Sequence, residues 1–146
     1  MPISIEDLAR NLSTTQQRNF LSRVSSALRA VVIPTAPAGP WTISDNSQLQ
    51  DCISVPNPNG DGQLQIGKCI GARALRPMLA ADPANLSRIA DVMDAVADHD
   101  GIPSGIVIPL VETALTWNRS MSLKVKEPDV SDDPSHSGDV DVVENQ

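Results

Sequence analysis

Cys52-Ile53-Ser54-Val55-Pro56-Asn57-Pro58-Asn59-Gly60-Asp61-Gly62-Gln63-Leu64-Gln65-Ile66 is the stretch that decides the fold class. Two short runs suited to strands flank Asn57 to Gly62, a segment dense in turn-forming residues, and the whole reads as a β-hairpin. A two-residue turn at Asn59-Gly60 is favoured because both residues tolerate positive φ. It sets Ile53 opposite Ile66 and Val55 opposite Leu64. A turn at Gly60-Asp61 would set Val55 against Ile66 but Ile53 against Lys68, so the first register matches apolar with apolar twice.

Working outward towards the N-terminus, Trp41-Thr42-Ile43 suits another short strand. Before it, Pro34 to Pro40 forms a stiff connector that neither helix nor strand can use. Two helix starts precede the connector. Ser4 reads as an N-cap with Glu6 and Asp7 in the first turn, and Ser13-Thr14-Thr15-Gln16 has capping-box spacing. Phe20, Val24, Ala27, Leu28 and Val31 then recur at helical intervals, with Arg18, Ser22, Ser25 and Arg29 on the opposite side. Pro34 is expected to end that amphipathic helix. Residues 5–32 form one helix or two meeting near Ser13.

On the C-terminal side, Ala72 to Ala81 reads as a short helix interrupted by Pro77. Asp82-Pro83 is an N-cap followed by proline at the first helical position. Leu86, Ile89, Ala90, Met93, Val96 and Ala97 make a continuous stripe, Asp91, Asp94 and Asp98 face away, and Gly101 closes the helix. Ile106 to Ile108 reads either as a buried strand before a helix begun by Pro109, or as part of one longer helix capped by Ser104. Ser120 to Lys126 alternates as a strand. The expected class is helix-rich α+β: an N-terminal amphipathic helix, a small central hairpin and two to three further helices.

The charge is divided unevenly. Residues 127–146 hold seven acids and no Lys or Arg, while the other 126 residues balance eleven acids with eleven bases. The entire net charge of −7 therefore lies in the terminal segment. Few large apolar residues follow Pro128, so 127–146 is expected to be a disordered acidic tail on a single domain of residues 1–126, with the 34–40 connector inside that domain. Its core must be aliphatic, because Phe20, Trp41 and Trp117 are the only aromatic residues.

Overall acidity argues against general nucleic-acid binding, which needs clustered Lys or Arg. The exception is the N-terminal basic helix, where Arg10, Arg18, Arg23 and Arg29 outnumber Glu6 and Asp7. Neither a signal peptide nor a membrane span is visible, so a cytoplasmic location, in a host cytoplasm or virion if the chain is viral, is the expectation.

Motifs with chemical meaning are incomplete. Gly62 to Cys69 has P-loop spacing, but Cys69 stands where a hydroxyl would hold Mg²⁺. Asn57 to Leu64 resembles the first eight positions of an EF-hand or dockerin-type calcium loop. Asn57 is an amide at position 1 and Lys68 occupies position 12 where a bidentate acid belongs, so a hairpin turn is preferred. In the favoured register Cys52 faces Gly67, with Cys69 a diagonal neighbour; in the other they lie opposite and could bridge. Reduced thiols are the default. His99 sits between two acids at a helix end, His136 lies in the acidic tail, and Ser44-Asp45-Asn46 lacks the Ser-x-x-Lys that would give that triplet meaning. No catalytic residue, cofactor site or metal site is assigned.

These readings point to a non-enzymatic structural or interaction protein that self-associates. A virion or phage-like assembly component is one concrete form of that role. The expected interaction residues are Leu12, Phe20, Val24, Leu28 and Val31, buried against a partner subunit, with Arg18, Arg23 and Arg29 beside them. Two alternatives stand: a regulatory module whose acidic tail masks the basic helix from nucleic acid or another partner, and a small enzyme assembled from scattered residues such as Asp51, Lys68, His99 and Glu112.

Overall fold

Ser13 settles how the chain begins. Its hydroxyl accepts from the Gln16 amide at 3.1 Å, and the Gln16 side chain accepts from the Ser13 amide at 3.1 Å. This reciprocal pair satisfies two donors that a helix start leaves orphaned, so residues 5–32 contain two helices rather than one. α1 spans Ile5–Asn11, capped by Ser4, whose Oγ accepts from Asp7 N. α2 spans Thr14–Ala27.

The computed structural model describes residues 3–45, 50–70 and 76–130, and side chains within 3–43, 52–66 and 79–130. Over these residues the protein is a helix-rich α+β fold. A π-helical stretch, Leu28–Val32, follows α2 and leads into α3, Ile33–Thr35. β1 (Thr42–Asp45), β2 (Gln50–Pro56) and β3 (Gln63–Ile70) follow, then a 3₁₀ turn at Arg76–Ala81, α4 (Pro83–Asp98) and α5 (Ser104–Ser120).

The chain divides into two compact units. The helical unit takes residues 1–27 and 90–146, and the sheet unit takes residues 28–89. In the helical unit Leu8, Leu12, Phe20, Leu21 and Val24 from the first two helices are buried, as are Met93, Val96, Val107, Val111 and Leu115. Both α1 and α2 pack on α5. Pro109 lies inside α5, so Ile106 to Ile108 belongs to the longer helix and not to a strand. Asp94 does not face away as a solvated acid. It hydrogen-bonds with Ser25, itself fully buried although the sequence placed it on the polar side of α2. The carboxylate supplies the partner that a buried hydroxyl requires.

Ser120 to Lys126 is not a strand. After α5 the chain turns through Ser122 (φ 53°) and Lys124 (φ 63°), and Leu123 is buried. Among the described residues no strand takes up the backbone of Val125; the Asn118 side chain does so instead. Its Nδ2 donates to Val125 O at 2.7 Å, and its Oδ1 accepts from Val125 N at 3.0 Å. The segment continues as a strap to Asp129, whose carbonyl accepts from Gln16 Nε2 at 2.8 Å. The charge-based boundary at Lys126/Glu127 thus cuts through this strap, and residues 131–146 lie outside the described residues.

The sheet unit is antiparallel, in the order β1-β2-β3. Half of the expected hairpin register is present: Val55 pairs with Leu64, Ser54 with Gln65 and Pro56 with Gln63. A bulge between Ile53 and Ser54 then shifts the ladder, and Ile53 pairs with Gly67 instead of Ile66. The turn is also wider than two residues. Asn57 N donates to Gly62 O at 3.1 Å, and the Asn57 side chain accepts from Asn59 N at 3.0 Å. Pro58 has no N–H to give, and Gly62 takes the positive φ of 90° that the loop needs. Cys52 is buried with Lys68 as its cross-strand partner, whereas Cys69 pairs with Asp51.

Pro34 does not end the helix where expected: α2 itself stops at Ala27, and the π-helical stretch and α3 carry helical structure on to Thr35. The Thr35 hydroxyl caps Val31 O at 2.6 Å, and Ala36 N donates to Val32 O at 2.9 Å. The 3₁₀ turn carries Pro77, where a short helix was expected to break. Asp82 caps α4, accepting from Asn85 N at 2.9 Å, and Gly101 (φ 76°) follows its end.

Candidate interaction surfaces

Four of the five apolar residues assigned to a partner interface are already covered by the chain. Leu12, Phe20, Val24 and Leu28 are buried, and only Val31 is exposed, at 51%. A stripe of helical spacing is the pattern of a core face as much as of an interface, and here it serves as core. Arg18 is likewise engaged. Its Nε donates to Ala97 O at 2.8 Å and its Nη1 pairs with Asp100. A guanidinium at the C-terminus of α4 satisfies a carbonyl that has no partner within the helix and complements the helix dipole. Arg29 also has a partner.

Arg23 is exposed and lines a hollow of about 200 Å³ in the helical unit. Gln16, Asn19 and Phe20 of α2 form one side of it, and Lys126 to Asp129 of the strap form the other. Arg119 grips Glu127 with two nitrogens, at 2.7 and 2.8 Å. This hydrogen bond, and the attraction of the carboxylate, raise the Arg119 pKa above its ordinary value despite slight desolvation. The pair anchors the strap, because a bidentate guanidinium–carboxylate contact fixes orientation as well as distance.

The sheet unit carries a different surface. Pro37, Ala38, Val55, Pro56, Pro58, Leu64 and Ile66 enclose a hollow of about 330 Å³. Apart from backbone edges its lining is apolar. Leu64 and Ile66 are 43% and 39% exposed, whereas Val55, opposite Leu64, is 2% exposed. The connector supplies one wall: Trp41 Nε1 donates to Pro37 O at 2.8 Å, so the 37–41 segment is held in a closed turn. The sequence reading missed this surface. The available signal was the run Gln63-Leu64-Gln65-Ile66, in which two aliphatic residues alternate with uncharged amides beside a proline-rich loop.

Among the described residues no group of three or more His, Cys, Asp or Glu is placed to hold a metal ion. In the Asn57–Leu64 loop the Asn57 side chain turns back on the loop itself, with Oδ1 accepting from the Asn59 amide and Nδ2 at 3.4 Å from Asp61 O. His99 Nδ1 lies 2.6 Å from Ala95 O, one turn back in α4. Of the scattered residues considered for an enzyme, Asp51 and Lys68 lie on adjacent strands with their side chains outside the described residues, as is the side chain of Cys69. Glu112 lies on α5, and His136 is outside the described residues. Among the described residues no helix is long and apolar enough to cross a membrane. Comparison with protein-family models, with curated proteins and with solved structures gives no match.

Proposed function

We propose that this chain is a non-enzymatic interaction protein that associates with itself, an assembly or scaffold component rather than a catalyst. The observation that carries this reading is the apolar hollow of the sheet unit, with Leu64 and Ile66 left partly in water beside Pro37, Pro56 and Pro58. Burying such residues is worth roughly 25 cal/mol per Å² of apolar surface, so a second surface laid over them gains free energy that solvent denies. The interface therefore belongs to the sheet unit and not to the N-terminal helix stripe.

Sedimentation velocity on the full chain, from micromolar to submillimolar concentration, tests the proposal. A rising weight-average mass is expected. A strict monomer over the whole range overturns it.

A further inference from the structure

The open edge of β3 has a backbone pattern that fits a second copy of itself. In the sheet order β1-β2-β3, β3 pairs on one side only among the described residues, and Gln63 to Ile66 are all exposed. Edge strands expose rows of unpaired N–H and C=O groups, and proteins usually blunt them with charge or proline. Gly62 to Gly67 contains neither.

Which groups point outward follows from hydrogen-bond alternation. Asn57 N donates to Gly62 O, so that rung is a hydrogen-bonded pair. Along an antiparallel ladder such rungs alternate with non-bonded ones. Pro56–Gln63 is then non-bonded, as the missing N–H of Pro56 permits; Val55–Leu64 is bonded, and Ser54–Gln65 is non-bonded. Gln63 and Gln65 therefore turn their N–H and C=O groups away from β2, toward the open edge. Leu64 turns its own toward β2.

A two-fold antiparallel pairing must match outward residues with outward residues. Centring the axis on Leu64 sets Gln63 against Gln65 of the other copy twice, which makes four backbone hydrogen bonds. Centring it on Gln65 leaves one bonded rung, because the bulge breaks the alternation beyond Ile66. The Leu64-centred register also places Leu64 opposite its own copy in a non-bonded rung, where side chains approach most closely. Charge agrees with it. No charged residue lies between Gly62 and Gly67, so the axis brings no like charges together, and at each end Asp61 meets the stretch of the other copy that holds position Lys68.

We infer that the chain forms a symmetric dimer by antiparallel β3–β3 pairing about Leu64, joining two three-stranded sheets into one of six strands and bringing the two apolar hollows side by side on one face. This rests on the self-association proposed above and adds the surface and the register.

Single-cysteine scanning tests the register. With Cys52→Ala and Cys69→Ser in place, Gln63→Cys, Leu64→Cys and Gln65→Cys are oxidised in turn at dilute concentration, and the linked peptides are identified by mass spectrometry. Self-linkage is expected at Leu64→Cys and not at its neighbours, because only position 64 meets itself. Leu64→Lys, with its fold checked by circular dichroism, should raise the dimer dissociation constant at least about tenfold by opposing two charges on the axis. In the unmodified chain the Gln63 and Gln65 amides should exchange more slowly as concentration rises, a readout that needs no variant. Self-linkage at Gln65→Cys instead, or an unchanged mass distribution for Leu64→Lys, overturns the pairing while leaving self-association in place. A monomeric unmodified chain overturns both, and concentration-independent exchange at Gln63 and Gln65 overturns the pairing.

Discussion

Val55 and Phe20 show what each unit does with its apolar residues. In the helical unit the large side chains of α2 are covered, and the polar groups buried with them each find a partner: Ser25 with Asp94, Gln17 with Ala9 O at 2.9 Å, and Asn118 with Val125. In the sheet unit Val55 is covered, yet its rung partner Leu64 stands partly in water, as does Ile66. The helical unit closes its core around α2, with Ile3, Val92 and Ile106 exposed outside that core. The other is finished on its central strand and unfinished at its edge, which is where a second chain has something to add.

The sharpest way to break this contrast is to test the finished core first. Phe20→Ala removes a ring that is 1% exposed and should cost about 3–5 kcal/mol in urea unfolding. A loss below about 1 kcal/mol would mean that α2 is not the centre of the helical unit. Asn118→Ala should follow at about 2–3 kcal/mol, because it leaves the N–H and C=O of Val125 without partners as well as removing a buried amide. Asn118→Asp keeps the acceptor for Val125 N and loses the donor, so hydrogen exchange at Val125 separates the two halves of the clamp. If both variants unfold like the unmodified chain, the strap is not part of the helical unit.

Much of this fold was legible because caps and turns are local. Ser4, Ser13 with Gln16, Asp82 and Gly101 all act as their sequence context suggests, since a cap needs only its own next few residues. The Val55–Leu64 rung was legible for the same reason. What failed depends on distant partners. Ser120 to Lys126 alternates like a strand, but alternation cannot reveal that Met121 and Leu123 bond back to the end of α5 and that Val125 is held by the side chain of Asn118. Ser25 and Asp94, 69 positions apart, each look solvated alone and become a buried pair only when α2 meets α4. The helical stripe carries the same ambiguity: four of its five expected interaction residues are covered within the chain. Helical periodicity marks a face that must be covered, without saying whether the cover is the same chain or another.

A smaller effect is expected at the strap. Glu127→Gln removes the charge from a contact whose side chains are 39% and 28% exposed, so solvent screens it and the loss should stay below about 1 kcal/mol. The difference from the unmodified chain should shrink as salt is added. Because the Arg119 pKa is raised in the fold, the stabilisation from its charge is complete below the unfolded-state value. It fades only as pH climbs through the folded-state value, so Arg119 adds no pH dependence across the neutral range. Proton titration of Arg119 near neutrality would contradict the bidentate geometry.

The least costly change tests the unfinished edge most directly. At concentrations where the chain is monomeric, Leu64→Ser should alter unfolding free energy by no more than about 0.5 kcal/mol, because a side chain already 43% exposed gives up little burial. Val55→Ala, on the same rung but 2% exposed, should cost about 2 kcal/mol in the same measurement. The two residues share one rung and one face of the sheet, one on the central strand and one on the edge, and they differ in coverage. Equal losses would show that Leu64 is core to its own unit. The hollow would then be an internal packing feature, and the edge would have no claim on a second chain.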